Sequence, residues 1–103
     1  MENIKYYPFS MSKQIADIDY YRNHLLETMR RMDDGDIPMD IERYDRIHDM
    51  LHGDLEDLYE MLEKCRGEKT AYITEGQYEL AQKIVKWASS RRIQNNRNEG
   101  EQS

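Results

Sequence analysis

Cysteine is almost missing from this chain. A single one, Cys65, stands among 103 residues. That excludes an internal disulfide and a cysteine-built zinc centre within one chain. It also suits a reducing compartment, so the expected location is the cytoplasm. Proline is scarce as well, with Pro8 and Pro38 alone, and glycine numbers five. Few positions therefore force a helix to stop. No apolar run approaches the roughly 18 residues that a membrane-spanning helix needs. The opening MENIKYYPFS holds no apolar core of a secretion signal. No membrane association is expected. A glycine-rich phosphate loop and a GxSxG elbow are both wanting.

What the chain has in abundance is charge, at 35% of residues, with a net charge of -6. The acidity is local. Residues 33–63 hold twelve acids against two arginines, for -10, while every other stretch is near neutral or slightly basic. Direct nucleic-acid binding is not expected, because phosphate contacts need clustered Lys and Arg. Lys83, Lys86, Arg91 and Arg92 surround Trp87, but they fit the negative end of a helix dipole.

Apolar periodicity predicts an all-α fold. The expected architecture is a small three-helix bundle in one domain, residues 1–92, with a long antiparallel helical hairpin and a third, C-terminal helix. The first helix spans about 11–32, where Met11, Ile15, Ile18, Leu25, Met29 and Met32 recur at steps of four and three and Arg22 fills the missing step. DDGDIP is a turn, with Gly35 ending one helix and Asp40 capping the next. The second helix spans about 41–66 on a seam of Ile41, Tyr44, His48, Leu51, Leu55, Leu58, Leu62 and Cys65. Gly53 is a weak point inside it, costing about 1 kcal/mol relative to alanine. Thr74 and Gln77 read as a capping box opening a third helix over 75–92. That helix carries two apolar stripes, more than one bundle contact requires, so a homodimer or partner surface is expected there. The segment 93–103 is polar and aperiodic and is expected to be a disordered tail. Tyr6, Tyr7 and Phe9 are expected to pack.

Three constellations bear on chemistry. His48 and His52 stand four apart, so they share a helix face, and Glu56 extends the row. This is a candidate divalent-metal site, although Asp49 replaces the glutamate of the HExxH pattern. Arg43 and Arg46 lie five and six residues before the two histidines, a spacing used by helical nucleases of the HEPN class. There a histidine would move protons and an arginine would hold phosphate charge. The -10 segment opposes that use, since it repels phosphate. The third constellation is the acidic stripe itself: Glu42, Asp45, Asp49, Glu56, Asp57, Glu60 and Glu63. As one straight helix face, Glu42 to Glu63 would cover about 31 Å at ~1.5 Å per residue.

The sequence thus predicts a non-enzymatic module that binds another protein, one with a basic surface. Its concrete form is an inhibitor or regulator that occupies a nucleic-acid-handling protein by imitating phosphates, by analogy with small acidic proteins of phages and mobile elements. No catalytic residue and no cofactor are assigned. Tyr20, pointing off the first seam, joins the seven acids as a partner-binding residue. The alternatives are a metal or HEPN-like RNase protein using His48 and His52, and a structural homo-oligomer.

Overall fold

Tyr6–Ser10 forms strand β1 and Thr70–Thr74 forms strand β2, paired antiparallel with Tyr6 opposite Thr74 and Ser10 opposite Thr70. The structure, a computed structural model, describes residues 4–102, with side chains through Arg92. The ribbon corrects the purely all-α expectation, although the chain is mostly helical. Its residues suit a pleated surface: YYPFS is aromatic, and TAYIT mixes aromatic and β-branched types. Side chains alternate faces. Phe9, Ala71 and Ile73 are buried on the inner face, while Tyr6, Pro8 and Tyr72 lie exposed on the outer one. Of the three aromatics expected to pack, Phe9 is fully buried and Tyr7 stacks on Tyr78 at 5.1 Å, but Tyr6 is exposed.

The register also explains a proline within a strand. Met11 donates its backbone N–H to the Lys69 carbonyl at 2.9 Å, just past the ribbon. Bonding alternates along an antiparallel ladder, so Pro8 faces the open edge, where its missing N–H costs no ladder bond. The same alternation turns the Thr74 N–H outward. It donates to Gln77 Oε1 at 3.1 Å instead.

Helix α1, Met11–Asp33, follows β1 directly. Met11, Ile18, Leu25 and Met32 are buried as the periodicity predicts. Arg22, the polar step in that stripe, lays its guanidinium over the Tyr59 ring at 4.5 Å, so its stem covers apolar surface. Ser10 occupies the cap position without a side-chain cap bond. Gly35, at φ +79, turns the chain after α1. Asp40 then accepts the Arg43 N–H at 3.1 Å and starts α2, Ile41–His52.

The long second helix is split. Helix α2 ends at His52, and α3, Asp54–Glu63, begins after Gly53. A Cβ on residue 53 would lie 2.8 Å from the Asp49 carbonyl oxygen, so the two backbones approach as only glycine allows. The break changes the phase of the seam. Ile47 is buried, whereas His48 and Ile41, both expected on the seam, are exposed. Beyond the break Leu55, Leu58 and Leu62 are fully buried. Helix α3 ends at Glu63, short of the expected 66, and Gly67, at φ +93, leads toward β2.

Helix α4, Glu75–Gln102, opens on the predicted capping box, with Gln77 N–H donating to Thr74 Oγ1 at 3.4 Å. Ala81, Ile84 and Ala88 are buried. Its bounds run through most of the segment expected as a tail, and the side chains of 93–103 lie outside the described residues. Helix α1 touches every other element, so it is the centre of the packing. The fully buried Phe9, Ile18, Leu55, Leu58, Leu62 and Ile73 make one core between ribbon and helices.

Candidate partner-binding surface

The buried leucines of α3 and Ile47 of α2 set which side chains point outward. Glu42, Asp45 and Asp49 on α2 are all exposed, as are Glu56, Asp57, Glu60 and Glu63 on α3. Steps of three and four keep each group on one helix face. The break at Gly53 divides them, so the straight 31 Å row becomes two shorter rows, on helices about 18 and 15 Å long.

Their electrostatic setting differs from that of most acids on α1 and the turn after it. On α1 and the turn after it, Arg30 pairs with Glu27 at 2.5 Å and Asp34 at 2.6 Å. These partners raise the pKa of Arg30 and lower that of Glu27, chiefly through their hydrogen bonds. Arg66 reaches back to Asp19 at 2.8 Å, joining the end of α3 to α1. Arg92 meets the nearly buried Asp17 carboxylate at 2.5 Å, an ion pair without hydrogen-bond alignment. On α2 and α3 the described residues offer far less. Glu63 pairs with Arg66, and Asp49 lies 3.9 Å from His48 Nδ1. Glu42, Asp45, Glu56, Asp57 and Glu60 have no cation within 4.0 Å among the described residues.

Tyr20 belongs to a different neighbourhood. It is half-buried, its ring lies 5.4 Å from Trp87, and its hydroxyl accepts from Arg91 Nε at 3.5 Å. Tyr21 meets the same indole edge-on at 5.1 Å, and His24 lies 5.0 Å away. Arg91 also sits over the Trp87 ring at 5.1 Å. This cluster packs one side of Trp87, a single member of the second apolar stripe of α4; Ile84 of that stripe is buried and Leu80 is half-buried. Burial, then the positive charges of Arg91 and Arg43, hold the His24 pKa below its ordinary value. Burial raises the Tyr21 pKa. The sequence reading missed this cluster. Its signal was Tyr20, Tyr21 and His24 within five positions of one helix, and a lone tryptophan on another.

His48 and His52 do lie together, with ring centres 4.4 Å apart. Both are exposed. No group of three His, Cys, Asp or Glu side chains is placed to hold a metal ion among the described residues, so Glu56 does not complete a set with them. Cys65 is half-buried. Among the described residues no helix is long and apolar enough to cross a membrane.

Comparison with protein-family models, with curated proteins and with solved structures finds no match to this chain.

Proposed function

We propose that this protein works by binding another protein, and that the carboxylates of α2 and α3 meet a basic surface on it. The observation that carries the reading is the contrast in pairing. On α1 and the turn after it, Asp17, Asp19, Glu27 and Asp34 are matched by arginines, whereas six of the eight exposed acids on α2 and α3 have no cation within 4.0 Å among the described residues. Charges left unmatched and exposed keep their long-range field and steer a cationic partner. The partner class that fits is a nucleic-acid-handling protein, whose basic groove these carboxylates would fill as an inhibitor or regulator. The division at Gly53 favours two separate acidic contacts over the imitation of one straight phosphate strand.

The test is capture from a lysate of the source cells with two baits. One is the native chain. The other carries Glu42→Gln, Asp45→Asn, Asp49→Asn, Glu56→Gln, Glu60→Gln and Glu63→Gln. A basic protein retained by the first, released by rising salt and ignored by the second is the expected result. Equal retention by both baits places the interface elsewhere and refutes the reading.

A further inference from the structure

Two cavities between the α3 N-terminus and α4, of about 380 and 330 Å³, share Asp54, Gly76 and Leu80, and so form one continuous groove. It runs from Thr74 at the end of β2 to Trp87 and Tyr21. Toward Trp87 its lining is apolar, with Leu80, Met50 and the Trp87 indole over the buried Ile84, and toward Thr74 only Leu80 continues that surface. Its walls are acidic. Asp54 and Asp57 stand on the α3 side, and Glu79 on the α4 side. All three are exposed, and none has a cation within 4.0 Å among the described residues. Among the described residues, Lys83 is the one basic side chain lining the groove.

We infer that this groove holds a short peptide segment of the partner in which cationic side chains flank bulky aliphatic ones. The inference rests on the protein-binding reading and deepens it by naming what is recognised. Aliphatic side chains leave water over the half-buried Leu80, Met50 and Trp87, while lysine or arginine heads meet carboxylates on either wall. Charge selects this occupant over others. A second copy of the chain would bring a net charge of -6 to acidic walls. A nucleic acid would bring phosphates to them.

Trp87 is the only tryptophan in the chain, so its emission reports on the groove directly. The probes are three end-capped pentapeptides, KLKLK, KGKGK and ELELE. The expected result is a saturable shift of Trp87 emission with KLKLK and binding at least about tenfold weaker for the other two. The variant Asp54→Asn, Asp57→Asn, Glu79→Gln is expected to weaken KLKLK about tenfold, the combined worth of three exposed charge contacts. All three side chains are exposed, and a matching thermal melt confirms that the fold survives. The variant Asp34→Asn, Asp36→Asn, Glu68→Gln, which removes three exposed charges outside both the groove lining and the proposed contact acids of α2 and α3, is expected to bind KLKLK within about twofold of the native chain. No response to KLKLK overturns the groove. So does equal binding of KGKGK, which would reduce recognition to charge alone, and so does equal loss in the variant outside the groove. None of these outcomes alters the lysate capture, so the groove and the acidic-surface reading fail separately.

Discussion

Gly53→Ala is the substitution on which helix propensity and the tertiary structure disagree most sharply. In a continuous helix over 41–66 it would stabilise, because alanine is favoured over glycine by about 1 kcal/mol in a helix interior. In the structure residue 53 lies between α2 and α3, and the added Cβ meets the Asp49 carbonyl oxygen at 2.8 Å. That neighbour is backbone, so relief requires the last turn of α2 to move against α3. Overpacking of this kind costs about 1–3 kcal/mol. Alanine also narrows the unfolded ensemble, which offsets about 0.4–1 kcal/mol. The net expectation is a loss of about 1–2 kcal/mol, or a fall in Tm of about 5–10 °C for a domain of this size. Thermal melts followed by circular dichroism measure it, with helix content read from the same spectra. A Tm that is unchanged or higher, with added helical signal, would show that the two helices merge. The close approach at Gly53 would then not be what keeps them apart.

Other outcomes follow from burial, capping and titration. Leu58→Ala removes a fully buried side chain and is expected to cost about 2–5 kcal/mol in urea unfolding; a cost below about 1 kcal/mol would contradict its place in the core. Thr74→Ala removes one half of the capping box and is expected to cost about 1 kcal/mol, with fraying confined to the start of α4 in hydrogen exchange. His24 has a lowered pKa in the fold, so below about pH 6.5 the unfolded chain binds its proton more readily than the folded one. Stability from this group is therefore present above that pH and declines as pH falls toward the folded pKa. Unfolding measured from pH 8 to 5 in the native chain and in His24→Gln isolates that slope, and parallel curves would refute it. His48→Ala and His52→Ala are expected to change stability by no more than about 0.5 kcal/mol, since both side chains are exposed. A zinc-dependent rise in Tm that chelator reverses would overturn that expectation.

Local grammar was read correctly where one short stretch holds all the information. The Asp40 cap, the Thr74–Gln77 box and the left-handed Gly35 need only neighbours a few residues away. The stripe of α1 and the leucines of α3 were legible because burial on one face imposes a period on the sequence. The β1–β2 ribbon was not. Each strand has five residues, too few for a clear period, and its partner lies at the far end of the domain. The seven acids were legible as a class of surface, because buried carboxylates need partners and these residues sit opposite the apolar seam. Their division into two rows was hidden, since it follows from the backbone at Gly53.

The sequence by itself determined that helices open near residues 11, 41 and 75, where the first of them ends, and that the negative charge concentrates between residues 33 and 63. Caps, periods and composition are properties of neighbours along the chain, so one chain suffices to read them. The tertiary structure alone decided that Ile47 rather than His48 faces the core, that Tyr20, Tyr21 and His24 gather on Trp87, and that Asp17 meets Arg92. Each of those depends on the angle at which one helix crosses another. That angle is set by the summed packing of Phe9, Ile18, Ile73 and the α3 leucines, which lie far apart in the chain and meet only in the folded core.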